Sequence, residues 1–192
     1  MEAKKYENVT VSEYIKIEQE TSTKHEYHDG KIYDMSGGTV EHGLISGNTY
    51  GELKFGLRQK NRQCKAINND VKLYIPSLNK YLYPDVMVIC NGIERSEEEH
   101  GVINPTVIVE VLSKSTESYD RGDKFYMYRQ IESLREYVLI NQYKEEVEVF
   151  TRQNHLWKIT RIIGLDQELV LQSINLSIPM ASIYEDITFE KT

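Results

Sequence analysis

Residues 105–116 of this 192-residue chain, PTVIVEVLSKST, are the segment from which its fold class is best predicted. The centre of this segment, Thr106 to Leu112, is a short run rich in β-branched residues, which is typical of a strand buried on both faces. Glu110 interrupts this apolar run. A buried carboxylate is costly unless its pKa shifts, a cation pairs with it or it binds a metal. Glu110 therefore predicts a partner elsewhere in the chain.

The segments around this strand predict an α/β domain. Further strand-like runs are CKAINNDVKLYI (64–75), YLYPDVMVIC (81–90) and REYVLINQ (135–142), with a helix over about residues 118–131 that Ser115, Thr116 or Ser118 can cap. Upstream, the pattern is helical from Val40 to about Asn61. Strands and helices in this order imply an α/β domain with a mixed central sheet flanked by helices.

The two ends of the chain add smaller elements. A short helix over residues 13–20 has Ser12 as a plausible cap, and HEYHDGKIYDMSGG (25–38) predicts a hairpin turning at Asp29-Gly30. Near the C-terminus, residues 145–163 predict a hairpin around Gln153-Asn154, and residues 169–187 predict a last strand with a short closing element. We expect one domain over residues 1–192, with residues 1 to about 38 as an N-terminal extension.

Composition is that of an ordinary globular protein, with 40% hydrophobic and 28% charged residues. The N-terminus is polar and the apolar runs are too short to span a membrane, so we expect a cytoplasmic protein with no membrane partner. Cys64 and Cys90 lack a paired CxxC spacing, and we expect free thiols. The net charge of −7 weighs against a general polyanion binder, so a nucleic-acid hypothesis needs a local basic patch.

A second acidic residue also stands in an unexpected place. Asp85 follows Pro84 and directly precedes the apolar run VMVIC. If its strand pairs with that of Glu110, the two carboxylates converge, and like charges at short range raise each other's pKa unless a cation joins them. Mg²⁺ accepts one or two carboxylates together with waters. Such a metal can activate a water and neutralise charge on a phosphate.

Proline-aspartate on one strand and glutamate on the next resemble the PD-(D/E)XK nuclease superfamily. More closely, the run EVLSKSTESYDRGDKFYMY (110–128), with YPDVMVIC before it, is similar to the Uma-two family of restriction-endonuclease-like proteins. Glu26, Gly30 and His42 in the upstream stretch also fit that family. The resemblance extends from about Glu13 to the C-terminal IYEDI.

The resemblance implies a restriction-endonuclease-like fold, with Asp85 and Glu110 as ligands of Mg²⁺, for which Mn²⁺ can substitute. It implies a metal-dependent endonuclease acting on DNA, and we expect a homodimer because cutting both strands of a duplex usually takes two sites. One departure is that Leu112 stands where the superfamily has lysine. In this family the lysine moves to the following helix, which nominates Lys124, with Lys114 as the runner-up. Glu26 and His42 complete the implied catalytic set.

Each candidate also has a plain structural interpretation. Glu110 can be a structural carboxylate paired with a buried lysine or arginine, and Asp85 can begin a strand after a turn. Asp120 and Lys124, four residues apart, can form an exposed salt bridge, or Asp120 can orient Lys124 in the site. Glu26 can be an ordinary exposed strand residue.

Three further features stay open in the same way. His42 can cap or pack at the start of its helix, and Asp70 can be a turn residue or a further acidic contributor. The basic run Lys54, Arg58, Lys60, Arg62 and Lys65 can complement a helix dipole or contact a DNA backbone.

Two other functions compete with a nuclease. The missing lysine at position 112 and the net charge of −7 are compatible with a nuclease-fold module that binds nucleic acid or protein without cutting. The same carboxylates could also serve hydrolysis of another phosphoester. Loss of cleavage on replacing Asp85 would separate an enzyme from a binding module.

Overall fold

The computed structural model describes residues 4–35, 37–60, 63–96 and 100–189. Its strands are β1 (Lys4–Glu7), β2 (His25–His28), β3 (Lys31–Asp34), β4 (Cys64–Asn68), β5 (Leu73–Ile75), β6 (Lys80–Leu82), β7 (Val86–Cys90), β8 (Val107–Leu112), β9 (Glu136–Asn141), β10 (Glu146–Gln153), β11 (Leu156–Ile163), β12 (Glu168–Leu171) and β13 (Leu176–Pro179). Its helices are α1 (Val11–Glu20), α2 (Val40–Lys60), α3 (Glu117–Tyr119), a π-helical turn (Asp120–Lys124), α4 (Phe125–Tyr128) and α5 (Met180–Ile183). Short 3₁₀ turns cover Pro76–Leu78 and Gln172–Ile174.

A mixed sheet lies at the centre of the fold. Its strand order is β11-β10-β9-β8-β7-β4, in which β8 and β9 run parallel and the other neighbours run antiparallel. A second sheet has the order β1-β3-β2-β6-β5, and β12 pairs with β13. The predicted α/β architecture with a mixed central sheet flanked by helices is therefore confirmed.

Alternating side chains of β8 enter two different cores. Val109 and Val111 belong to the core shared with α2, β12, β13 and α5. Ile108 and Leu112 belong to the opposite core, with Tyr128 from α4. Since side chains alternate along a strand, Glu110 lies on the same face as Ile108 and Leu112, towards the π-helical turn.

Two of the predicted strands are each divided between the two larger sheets. CKAINNDVKLYI forms β4 in the central sheet and β5 in the second sheet, while YLYPDVMVIC forms β6 in the second sheet and β7 in the central sheet. The second division falls at Pro84-Asp85, because proline has no N–H to continue a sheet ladder. Asp85 therefore lies where the chain passes from one sheet to the other.

The hairpin predictions hold, with one correction at the C-terminus. Asp29 and Gly30 adopt positive φ values of 45° and 89°, as expected for a tight turn between β2 and β3. β10 and β11 join through a turn in which Asn154 has a φ of 57°. The single last strand was a wrong prediction, because residues 168–179 form the hairpin β12–β13 before α5.

The helix predictions are correct in position and wrong in detail. Thr10 caps α1, since its hydroxyl accepts the Glu13 N–H and the Glu13 carboxylate accepts the Thr10 N–H, so Ser12 is not the cap. The helix predicted over residues 118–131 spans 117–128 and contains the π-helical turn. Thr116 takes its N-cap position without a side-chain capping hydrogen bond.

Cys64 and Cys90 form a disulfide, so the expectation of free thiols was wrong. The two residues lie directly opposite each other on the antiparallel strands β4 and β7. This pairing was not evident from the sequence, because the two cysteines are 26 positions apart and their alignment depends on the register of the sheet.

Gly56 of α2 provides a test of packing between this helix and β13. A Cβ atom at Gly56 would lie 2.5 Å from Cδ1 and 3.3 Å from Cγ of Leu176, which is buried. We expect Gly56→Ala to lower the free energy of unfolding by about 1–3 kcal/mol, because overpacking outweighs the better helix propensity of alanine. A Cβ at Gly47 meets nothing within 4 Å, so the control Gly47→Ala should stabilise by up to about 1 kcal/mol in urea denaturation.

Candidate active site

The structure brings Asp85 and Glu110 into one cleft. β7 and β8 pair with Val86 opposite Val109, and continuing this register by one residue sets Asp85 beside Glu110. Both carboxylates are buried, with 9% and 3% of each residue exposed. Oδ2 of Asp85 accepts the N–H of Val111 at 2.7 Å, which fixes the carboxylate against the end of β8. The two acidic residues thus converge as the sequence predicted.

Lys124 is the partner that Glu110 predicted. Its Nζ lies 2.8 Å from Oε1 of Glu110, 3.5 Å from Oδ1 of Asp120 and 3.7 Å from Oε1 of Glu26. Asp120 and Lys124 are 2% and 6% exposed, so the interpretation of an exposed salt bridge is wrong. The ammonium holds three carboxylates that come from different parts of the chain.

The helical segment after β8 carries Asp120 and Lys124 on an unusual turn. Asp120 and Lys124 are the first and last residues of the π-helical turn. Its position is fixed from the sheet side, because the hydroxyl of Tyr137 on β9 donates to the carbonyl oxygen of Asp120 at 2.9 Å. π-Helical turns are rare and frequently occur at functional sites.

Glu26 reaches the same cluster from the hairpin β2–β3. Oε2 of Glu26 lies 3.1 Å from Nε2 of His28 and accepts the hydroxyl of Tyr119 at 3.2 Å. Glu26 is 7% exposed, so the interpretation as an ordinary exposed strand residue is wrong. The N-terminal hairpin therefore contributes a charged group to the cleft.

The carboxylates around Lys124 differ in their acidity. Burial raises the pKa of Glu110 to about 8; Lys124 opposes this shift, while the nearby charges of Asp85 and Asp120 add to it. Burial also acts on Glu26, but Lys124 and His28 lower its pKa below the usual value. Burial alone would lower the pKa of Lys124, yet the charge of Glu110 and the surrounding acidic groups raises it well above its ordinary value. Two carboxyl groups whose pKa values are shifted in opposite directions beside one cation are typical of functional sites.

His42 approaches Asp85 from the first turn of α2. The hydroxyl of Thr39 accepts the N–H of His42 at 3.2 Å, and Nε2 of His42 lies 3.3 Å from Oδ2 of Asp85. A Cβ at Gly38 would lie 3.0 Å from Nδ1 of His42, so the imidazole packs closely on the glycine backbone. Burial acts to lower the pKa of His42, but its hydrogen bond to Asp85 and the charges of Asp85 and Asp120 raise it.

All five predicted catalytic residues line one cleft of about 520 Å³, namely Glu26, His42, Asp85, Glu110 and Lys124. The described lining residues include five carboxylates, those of Glu26, Asp34, Asp85, Glu110 and Asp120, and two lysines, Lys114 and Lys124. The described part of the lining therefore contains more acidic side chains than lysines.

Other candidates lie elsewhere. Asp70 pairs with Lys24 at 2.8 Å with 68% of its side chain exposed, which supports the turn interpretation. Lys54, Arg58 and Lys65 line a different pocket at the far end of α2 from His42, and Arg62 lies outside the described residues. Since α2 has 21 residues, about 30 Å separates its two ends.

The cluster also contains groups that sequence reasoning missed. Tyr128 donates its hydroxyl to Oε1 of Glu110 at 2.8 Å, and Tyr119 contacts Glu26. Tyr128 lies four residues after Lys124, so helical spacing was an available signal for it. Gln142 accepts the Thr39 hydroxyl at 2.8 Å and donates to the Leu112 carbonyl oxygen at 2.7 Å, and no local pattern indicated this link.

The central sheet is mixed and has helices on both faces. Acidic residues at the ends of two of its central strands meet a lysine. These features define a protein with a restriction-endonuclease-like fold. The fold agrees with that of a solved structure described as "a putative nuclease belonging to DUF820" from Anabaena variabilis ATCC 29413, with a TM-score of 0.73 at 18% identity over 92% of this chain and 97% of that one. The chain belongs to the Uma-two family, Uma2, described as "Putative restriction endonuclease", whose sequence model matches residues 11–181.

Two relatives come from Synechocystis sp. strain PCC 6803. "Uncharacterized protein slr1290" is 34% identical over 185 residues, covering 96% of this chain and 95% of the relative. "Uncharacterized protein sll1609" is 32% identical over 163 residues, covering 84% and 91%. Within the described residues, no helix combines the length and apolar character that crossing a membrane requires.

Proposed function

We propose that the protein is a Mg²⁺-dependent endonuclease that hydrolyses DNA phosphodiester bonds. The observation that carries this proposal is the meeting of Asp85, Glu110 and Lys124 in one cleft. Membership of a family described as "Putative restriction endonuclease" supports the reaction class.

The donor set fits a hard divalent cation. No group of three or more His, Cys, Asp or Glu among the described residues is arranged to hold a metal. Mg²⁺ does not require one, because it commonly takes one or two carboxylates and completes its shell with waters and substrate phosphates. The excess of carboxylates over lysines in the cleft also favours a bound cation.

The ligands of the ion would be Asp85 and Glu110. Among the described residues, Oδ2 of Asp85 and Oε1 of Glu110 take part in hydrogen bonds, and the second oxygen of each carboxylate accepts none. When bound, Mg²⁺ supplies Lewis-acid activation of water and neutralises charge on the phosphate.

The remaining residues of the cleft would stabilise charge on the substrate phosphate and hold Lys124 in position. Lys124 keeps a cation beside Glu110, where it stabilises negative charge that develops on the scissile phosphate. Glu26 and Asp120 hold the lysine from two other sides. His42, whose pKa is raised by Asp85, is positioned to donate a proton or a hydrogen bond at the edge of the cleft.

A binding module without hydrolysis is the second candidate. Leu112 occupies the position of the superfamily lysine, and Lys124 already neutralises part of the charge of Glu110 without any metal. In that case the buried cluster would serve stability alone.

Cleavage assays with supercoiled plasmid and single-stranded circular DNA test the proposal. We expect cleavage that requires Mg²⁺, stops in EDTA and falls by at least about a hundredfold in Glu110→Gln, since each 1.4 kcal/mol of lost transition-state stabilisation is tenfold in rate. The matched control is Asp70→Asn, which removes an exposed carboxylate outside the cleft and should keep full activity. Absence of metal-dependent cleavage on both DNA forms would favour the binding module.

A further inference from the structure

An exposed lysine and tyrosine stand together at the rim of the cleft. Nζ of Lys114 lies 5.3 Å from the ring centroid of Tyr143, and both residues line the cleft. Tyr143 is 44% exposed, so its ring is accessible to a ligand that enters the cleft. Lys124 occupies the position beside Glu110, so Lys114 is available for another task.

The ring is held in place by the ends of the parallel strands. The hydroxyl of Tyr143 accepts the backbone N–H of Lys114 at 3.1 Å, and the N–H of Tyr143 donates to Oδ1 of Asn141 at 2.8 Å. Gln142, which is 3% exposed, ties this loop to Leu112 and Thr39. Ligands of α/β sheets typically bind beyond the carboxyl ends of parallel strands, which is where β8 and β9 place this rim.

The charges of the cleft are unsuited to a rigid duplex. A duplex carries one negative charge per about 1.7 Å of its axis, and proteins bind it through many phosphate contacts. Of the two lysines among the described lining residues, Lys124 is buried in contacts with carboxylates and Lys114 is exposed. The carboxylates of Asp85 and Glu110 are recessed. A nucleic-acid strand that enters such a cleft must be flexible, and it must bind through an interaction other than neutralisation of its phosphates.

Base stacking supplies that attraction. An aromatic side chain contributes about tenfold to a hundredfold in affinity for each stacked base, and it does so for any base. We propose that Tyr143 and Lys114 form a subsite for single-stranded nucleic acid, in which a base stacks on Tyr143 and Lys114 contacts the adjoining phosphate. The inference rests on the proposed nuclease function and specifies the form of its substrate.

Fluorescence anisotropy of a labelled 20-nucleotide single strand and of the matching duplex tests the subsite in EDTA, where metal-dependent cleavage is absent. We expect the single strand to bind at least about tenfold more tightly than the duplex. Tyr143→Ala should weaken single-strand binding by about 10- to 100-fold, and Tyr143→Phe, which keeps the ring, by less than about threefold. Lys114→Ala should reduce the slope of log affinity against log salt by about 0.7.

A matched control is available on another surface. Arg129 lies 5.1 Å from the ring centroid of Tyr126, which is 58% exposed, and neither residue lines the cleft. Tyr126→Ala removes an exposed ring from a similar cation–aromatic pair, and it should leave binding unchanged. Thermal melts of each variant show whether a loss of binding reflects loss of the fold, and the salt slope of Lys114→Ala retains a test of the subsite if Tyr143→Ala unfolds.

The outcomes separate this inference from the nuclease proposal. Equal binding of duplex and single strand, or unchanged binding in a folded Tyr143→Ala, overturns the subsite while cleavage assays can still support the nuclease. Binding of single strands through Tyr143 without any cleavage supports the subsite and overturns the nuclease.

Discussion

Replacing Asp85 with asparagine is expected to lower the Mg²⁺-dependent cleavage rate by about a thousandfold or more. A metal ion supplies several kcal/mol of transition-state stabilisation, and each 1.4 kcal/mol is tenfold in rate. The fold should persist, because the asparagine side-chain oxygen can still accept the N–H of Val111 that Asp85 accepts at 2.7 Å. The rate measured on plasmid or single-stranded circular DNA gives the size of the loss.

Metal binding provides a second measurement that does not depend on activity. At a Mg²⁺ concentration of about 100 times the dissociation constant, binding should stabilise the native protein by about 2.7 kcal/mol. Thermal denaturation with and without Mg²⁺ should show this increase for the native protein and for the control Asp70→Asn, but not for Asp85→Asn. A melting temperature of Asp85→Asn that rises with Mg²⁺ as in the native protein would contradict the role of Asp85 as a ligand.

The central strand and its buried carboxylate could be predicted from the sequence because both depend on local features. The run from Thr106 to Leu112 follows Pro105 and is short and rich in β-branched residues, so it predicted a strand, and Glu110 within it required a partner. The proline before Asp85 also acts locally, but its effect was underestimated. It ends β6 and begins a different sheet, and this change of sheet is what sets Asp85 at the cleft.

Long-range register and helix geometry were beyond the sequence alone. The disulfide depends on which residues of β4 and β7 lie opposite each other, and apolar alternation does not fix that alignment. Asp120 and Lys124 are buried at the two ends of the π-helical turn, whereas helical spacing alone is equally compatible with a surface pair. Glu26 enters the cleft because the N-terminal hairpin joins the second sheet through β6, a contact between distant parts of the chain.

Lys124→Met is expected to lower the free energy of unfolding by about 3–5 kcal/mol in EDTA, because it leaves buried carboxylates without their cation. The three affected groups are Glu110, Asp120 and Glu26, at 2.8, 3.5 and 3.7 Å from Nζ. Lys16→Met is the matched control, since Lys16 also pairs with an acidic residue four positions away but is 73% exposed in its side chain, and its loss should change stability little. Urea denaturation at pH 8 measures both.

Glu110→Gln should recover part of the stability lost in Lys124→Met, because without Lys124 the buried Glu110 carboxyl group must take up a proton on folding or remain as an unpaired charge. In the native protein the pKa of Glu110 is raised to about 8, above its value near 4.5 in the unfolded chain. Its contribution to stability is therefore fully present below about pH 4.5 and is lost as the pH rises through about 8. Glu110→Gln alone should flatten this decline in EDTA, so its stability relative to the native protein should increase from pH 5 to pH 9. If Lys124→Met and the double variant are equally unstable at pH 8, the ion pair is not the source of the destabilisation.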